Sequence, residues 1–359
     1  MKKLDARACL EEEIVEACLA NDIKKYRANQ VFGWVQQKAA QNWEEMKNVG
    51  KEDREKLSSV LFIQPLEMVR EQSSHDGTMK FLFRLAGGES IETVLMNYEN
   101  YTTRDRHTIC VSTQVGCPVG CSFCATGMEG FKRNLTTGEI TGQVLEIVHL
   151  IRQRDPDFGV TNIVFMGMGE PFLNYEAVMK AITLLNNEKG QNIGMRRMTI
   201  STSGIVPKII KLAEDNTQVG LAVSLHSARD NIRDVLVPMN RKYPLEKLLE
   251  ACKIYSSKTG RRVTFEMALQ NENTNQEEAQ TLAKLLKGML VHVNLIPVNP
   301  VVENIQRPAR DKITMFKKIL EAAKISVSVR EEKGIDIDAA CGQLRQRLEC
   351  ERYESVNQS

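Results

Sequence analysis

Long apolar runs are missing from this 359-residue chain, and so is any strong excess of one charge. No segment approaches the roughly 20 consecutive apolar residues that a bilayer-spanning helix needs, so the sequence reads as having no membrane partner. Lysine and arginine number 48 against 46 aspartate and glutamate, a net charge of +2. The bulk field therefore does not mark a nucleic-acid binder, and any RNA site has to come from local basic patches. The opening stretch MKKLDARACLEEEIVEACLAND turns acidic at Glu11–Glu13 and holds no apolar core of the signal-peptide kind. The expectation is a cytoplasmic protein. There, nine cysteines argue against a disulfide framework and for metal binding or catalysis. Internal repeats and low-complexity tracts are absent too.

What is there suits a large α/β protein. Hydrophobic residues make up 42% of the chain, enough for a sizeable core. Residues 1–75 read as mostly helical, with Val31, Trp34 and Val35 on one side of a helix after Lys24, a short helical stretch at Asn42–Glu45 and another at Lys51–Leu61. Residues 76–105 form an extension and linker, with KFLFRL and IETVLM flanking Gly87–Gly88 as a β-hairpin. Across 106–335, β-type runs (TICVST, NIVFMGM, MTISTS, LAVSLH, VTFEMAL, HVNLIPV) alternate with stretches of helical period. In the first such stretch, for example, Ile140, Val144, Ile147, Val148 and Ile151 recur at helical spacing. Alternation of this kind predicts a parallel sheet with helices outside, here an incomplete (β/α)6 barrel. A last helix (Lys312–Lys324) and strand (ISVSVR) follow, and residues 336–359 form a loop and tail.

In parallel barrels chemistry gathers at the carboxyl ends of the strands. The unusual motifs sit there: the cysteines after TICVST, Gly169–Glu170, Ser201, Ser224–Leu225–His226 and Asn299. Cys117, Cys121 and Cys124 form C-x3-C-x2-C. A structural zinc site wants a fourth ligand, and an electron-transfer 4Fe–4S cluster wants four cysteines. No fourth cysteine lies nearby. Three thiolates on one cluster leave an iron open to a small ligand; the alternative is a zinc knuckle completed by a distant residue such as His107.

With Phe123 before its last cysteine, C-x3-C-x2-C resembles the radical S-adenosylmethionine (SAM) superfamily. CVSTQVGCPVGCSFCATGMEGFKRNLTTGEI, FMGMGEPFLN, STSG, SLH, NLIPVNP and DIDAACGQL resemble the RlmN/Cfr family of RNA adenine methyltransferases, nearly from end to end of the chain. The resemblance implies that Cys117, Cys121 and Cys124 hold one 4Fe–4S cluster. Gly169–Glu170 would meet the SAM amino group, and Ser201, Ser224, Leu225, His226 and Asn299 would make further SAM contacts. Cys341 would carry the methyl group as S-methylcysteine, taken from one SAM. A second SAM, split at the cluster, would provide a radical that activates that methyl, so two SAM are used per turnover. Cys110 would then attack the Cys341 sulfur, forming a transient disulfide that frees the product, with Glu92 accepting the ring proton. The chemical motive is that carbon 2 of adenine is electron-poor and cannot attack SAM directly.

The implied substrates are an adenosine of 23S rRNA and one next to the anticodon of tRNA. A flavodoxin- or ferredoxin-like electron donor and a monomeric enzyme complete the expectation. Lys24, Lys25, Arg27, Lys132, Arg133, Arg196 and Arg197 are candidate phosphate contacts, Lys132–Arg133 foremost. NLIPVNP favours the carbon-2 type, because carbon-8 members tend to carry a basic residue where Pro297 stands. A glycyl-radical activase would need no carrier cysteine. A non-catalytic iron–sulfur or zinc RNA-binding module would need a complete ligand set and no SAM motifs. Cys9, Cys18, Cys252 and Cys350 match no motif.

Overall fold

The computed structural model describes residues 3–98, 105–298, 306–330, 333–339 and 342–344. The chain starts with β1 (Leu4–Asp5), α1 (Glu11–Leu19), α2 (Lys25–Phe32), a π-helical turn at Gly33–Gln37 and α3 (Lys51–Val60). β2 (Leu61–Phe62) pairs in parallel with β1. Val31 and Val35 are buried as the spacing predicts. Asn42–Glu45 is not helical, because the Asn42 and Glu45 side chains bond each other and the local backbone (Glu45 N–H to Asn42 Oδ1, 3.1 Å) and hold a turn instead.

β3 (Glu67–Ser73), β4 (Met79–Arg84) and β5 (Ser90–Tyr98) form an antiparallel meander that joins the main sheet through β6 (Arg106–Cys110). The β4–β5 hairpin turns at Gly87–Gly88 as expected. β3 was hidden because EMVREQS is polar and largely exposed, so it carries no alternating apolar signal. After β6 come β7 (Gln114–Gly116), α4 (Ala125–Met128) and β8 (Phe131–Asn134), with β7 and β8 forming a small ribbon beside the sheet.

The remaining chain alternates strand and helix: α5 (Thr137–Arg152), β9 (Asn162–Phe165), α6 (Tyr175–Asn186), β10 (Met198–Thr202), α7 (Val206–Glu214), β11 (Gly220–Ser224), α8 (Asp230–Leu236), α9 (Leu245–Thr259), β12 (Val263–Leu269), α10 (Gln276–Leu285), β13 (Val291–Pro297), α11 (Arg310–Ala322) and β14 (Ser326–Val329). The sheet has ten strands in the order β14-β13-β12-β11-β10-β9-β6-β5-β4-β3. From β6 through β9 to β14 every pairing is parallel. This is the incomplete barrel the alternation predicts, with β14 as one further parallel strand and the meander extending its other end. α5 shows why the helices form where they do. Thr136 and Glu139 make a reciprocal capping box, and Ile140, Val144, Ile147 and Val148 are buried. One continuous core joins sheet, outer helices and the N-terminal helices.

Candidate functional site

The carboxyl ends of the parallel strands surround a pocket. Cys117, Cys121, Cys124, Gly169, Glu170, Ser201, Ser224 and His226 all line it, together with Glu266 of β12, Arg330 after β14, and Gly342. The strands deliver these residues to one rim because their chain direction is common. The cysteine loop is seated on α8 by a small apolar cluster in which Val119 packs with Leu236 and Val237. Cys124 caps α4.

Burial first, with Glu170 and Cys124 adding repulsion, pushes the Cys117 thiol up to about 12. Cys121 is raised further, by burial and by the other two thiols, with Arg233 partly opposing. Thiols gathered in this way ionise only with cationic charge among them, which is what bound iron supplies. Among the described residues no three His, Cys, Asp or Glu side chains are placed to hold a single metal ion. Three thiols lining one pocket, with no fourth cysteine among the pocket's residues, are by their chemistry a donor set that suits an iron–sulfur cluster.

Gly169 and Glu170 follow β9. Gly169 has φ +103°, and a Cβ there would stand 2.6 Å from the Cβ of Gln114, so only glycine fits. The Glu170 N–H donates to Gln114 Oε1 (2.8 Å). Its carboxylate accepts from the N–H groups of Phe172 (3.0 Å) and Ser203 (2.7 Å). Burial pushes this carboxyl up, against those hydrogen bonds. Two fixed N–H donors hold one carboxylate at the pocket wall, a pre-aimed partner for an ammonium group.

His226 takes the left-handed backbone (φ +61°) after β11 and packs edge-on against Phe123, 4.7 Å between ring centres. The Ala268 N–H donates to its Nδ1 (2.9 Å). Leu225, by contrast, has its side chain in the core and meets this region through its backbone, its N–H donating to the Glu266 carbonyl (3.0 Å). Beneath the rim lies Arg233, fully buried, a residue no sequence motif marks. Its guanidinium donates to the carbonyls of Ser203 (2.7 Å), Ser224 (3.0 Å) and Leu225 (3.0 Å), gathering the ends of β10 and β11. Glu266 escaped the sequence reading as well. It is buried in the middle of an apolar strand, with burial raising its carboxyl and Asn294 donating to it (3.1 Å).

Glu92 and Cys110 do not line this pocket. Strand register places them on one face of the sheet. Leu82 opposes Glu92, Lys80 opposes Val94, and Val94 in turn opposes Cys110. Met96, Thr108 and Val164 share that face and line an adjoining cavity, which meets the first at Met166, Glu266 and Arg330. The opposite face carries Thr93, whose hydroxyl bonds Gln143 of α5 (2.8 Å). Glu92 and Cys110 thus face the barrel interior. Glu92 is buried against Lys80, Nζ to Oε1 3.1 Å.

Cys341 and Asn299 lie outside the described residues. Gly342, next to Cys341 in the chain, borders the cysteine loop: its carbonyl accepts from the Ala125 N–H (2.9 Å) and Leu344 O accepts from Thr126 Oγ1 (2.6 Å).

The candidate phosphate contacts divide. Lys24, Lys25, Arg196 and Arg197 are exposed. Arg133 is not available as expected. It is clamped between two carboxylates, Glu89 (3.0 Å) and Glu139 (2.8 Å). Arg27 pairs with Asp53 at 2.5 Å.

A parallel barrel that brings three closely spaced thiols to its carboxyl rim beside an anchored glutamate is the architecture of a radical SAM enzyme. The profile of the radical SAM superfamily matches residues 111–286, and that of the ribosomal RNA large subunit methyltransferase N-terminal domain matches residues 10–63. The chain is 62% identical over 353 residues to a probable dual-specificity RNA methyltransferase RlmN of Desulfitobacterium hafniense (strain Y51), covering 98% of this chain and 99% of that protein. It is 48% identical to the protein of the same description from Heliobacterium modesticaldum, covering 95% and 89%. The crystal structure of a radical SAM methyltransferase from Sphaerobacter thermophilus superposes with a TM-score of 0.91 at 47% identity, covering 96% and 100%. The chain belongs to the RlmN family of radical SAM RNA methyltransferases. Its cofactors are accordingly a 4Fe–4S cluster and SAM. No helix among the described residues is long and apolar enough to cross a membrane.

Proposed function

We propose that this enzyme methylates carbon 2 of an adenosine in 23S rRNA and of the adenosine next to the anticodon in tRNA, through Cys341 as methyl carrier. The observation that carries the reading is the single pocket lined by Cys117, Cys121, Cys124, Glu170, Ser201, Ser224, His226 and Gly342, the last adjacent to Cys341. Cys117, Cys121 and Cys124 would hold the cluster, which would supply one-electron reducing chemistry to a bound SAM.

The chain's own residues do the rest. Glu170, with Gly169, orients the SAM amino group, and Ser201, Ser224, Asn299 and the neighbourhood of Leu225–His226 complete the SAM site. The Cys341 thiolate takes a methyl group by displacement from one SAM, and a second SAM is consumed in activating it, two per turnover. Glu92 takes the proton that leaves the ring carbon. Cys110 attacks the Cys341 sulfur as a thiolate; as the disulfide forms, the bond from that sulfur to the transferred carbon breaks, the electron pair stays on that carbon, and a proton completes the methyl group. The N-terminal helices, which end at Val60, and the exposed Lys24, Lys25, Arg196 and Arg197 provide phosphate contacts. A monomer reduced by a flavodoxin- or ferredoxin-like donor is the working form, with 106–335 the barrel and 336–359 the carrier segment and tail; the extension expected over 76–105 begins earlier, at β3 (Glu67–Ser73), whose polar side chains hide it in the sequence.

Mass spectrometry of adenosines from RNA treated with reconstituted enzyme is the test. Expected are 2-methyladenosine with the native chain and none with Cys341→Ala, while Cys341→Ala still cleaves SAM. Finding 8-methyladenosine, or unchanged methylation by Cys341→Ala, would overturn the proposal.

A further inference from the structure

Lys80 lies on β4 with its side chain 2% exposed, and the Glu92 carboxylate beside it is 3% exposed. A lysine ammonium is too costly to bury alone, and the pair at 3.1 Å satisfies it only in part. Its remaining reach goes to the carbonyl of Asp338, 3.2 Å away. Asp338 precedes Cys341 by three positions and holds a left-handed backbone (φ 50°).

The arm upstream is also pinned to the β3–β4 turn. Ser74 Oγ donates to Asp336 Oδ1 (2.5 Å), the His75 N–H to Asp336 Oδ2 (3.2 Å), and the Gly334 N–H to Asp76 Oδ2 (3.0 Å). A side chain at Gly334 would press on Thr78 Cγ2 (2.9 Å) and Ala339 Cβ (2.7 Å). Downstream, Gly342 and Leu344 are held by Ala125 and Thr126. The carrier position is therefore bracketed by two anchors. Lys80 is where the upstream anchor touches the carboxylate on the barrel-interior face.

Replacing a buried ion pair with apolar residues of similar size is often neutral or stabilising, so stability alone is a weak reason for this pair. Its position gives a better one. We propose that Lys80 is a positioning residue for methyl transfer: its ammonium fixes the Glu92 carboxylate and, through the Asp338 carbonyl, ties that carboxylate to the arm bearing Cys341. The inference rests on the reading of Glu92 as proton acceptor. In it, carrier and base move as one unit, so that the proton is removed only when the carrier is seated.

The test compares Lys80→Met, Glu92→Gln and the double variant in the full-length reconstituted enzyme with its RNA. Three products are counted: methyl on Cys341 by intact mass, 5′-deoxyadenosine, and methylated adenosine. Lys80→Met is expected to keep Cys341 methylation and SAM cleavage within about threefold, while methylated adenosine per 5′-deoxyadenosine falls about tenfold or more. Glu92→Gln should show the same uncoupling. The double variant, which leaves no lone buried charge, should be no worse than Glu92→Gln. Normal coupling in Lys80→Met with uncoupling in Glu92→Gln would overturn the role of Lys80 alone. Normal coupling in Glu92→Gln would overturn the reading of the base and this inference with it. Loss of Cys341 methylation and SAM cleavage together in Lys80→Met, or a further tenfold loss of coupling in the double variant, would mark a merely structural residue.

Discussion

His226 accepts the Ala268 N–H at Nδ1, so its neutral ring carries the proton on Nε2. Burial, with the Arg233 charge adding to it, pushes its pKa down to about 3. The unfolded chain protonates the same ring near 6.5, so between these values the unfolded state binds more protons. The stability this contributes is complete above about pH 6.5 and is lost as the pH falls toward 3. From pH 7 to 5 the loss amounts to about 2 kcal/mol. Urea midpoints at the two pH values should show that extra loss in the native chain and not in His226→Gln; equal losses would refute it. The residues in and around the site differ in how plainly the sequence announces them. Cys117, Cys121 and Cys124 announce themselves by spacing. Lys80, Arg233 and Glu266 do not, because each takes its meaning from partners distant in the chain: Asp338 for Lys80, Ser203 for Arg233, Asn294 for Glu266.

Among the elements, those with an apolar period lie close to their expected bounds, as with α11 and the strands β9 to β13. β3 was missed because its side chains stand mostly in solvent, and α8 because seven residues give too little period to see. Arg133 teaches the same lesson from the other side. On charge alone it is a phosphate contact, but β8 and the first turn of α5 bring Glu139 to it, and the β4–β5 turn brings Glu89. Arg133→Gln is therefore expected to lower stability by about 1 kcal/mol, as for a partly exposed charge network, and to leave the salt dependence of RNA affinity unchanged. A shallower salt slope in a binding titration would restore Arg133 to the RNA surface.

At the scale of the molecule, the N-terminal segment is locked to the barrel by a buried pair. Arg7, with no exposed surface, reaches Glu146 of α5 at 2.6 Å and Gln41 at 3.0 Å, and the Leu66 N–H shares Glu146 at 2.9 Å. Removing one partner strands a charge in the core. Arg7→Met is expected to cost about 3–5 kcal/mol in urea unfolding, and Arg7→Met with Glu146→Leu to regain most of it. If the single variant unfolds like the native chain, the N-terminal segment is held by its apolar contacts alone.

Local pattern determined much here: which segments are strands and helices, that the strands run parallel, and which three cysteines form a set. These follow from side-chain period and from ligands close together in the chain. Only the tertiary structure decided that Lys80, Glu92 and Cys110 share one face, that Arg133 is occupied, and that the arm before Cys341 rests on the β3–β4 turn. Those facts depend on strand register and on contacts spanning as many as 262 positions, such as Ser74 with Asp336, and no local pattern carries information over that distance.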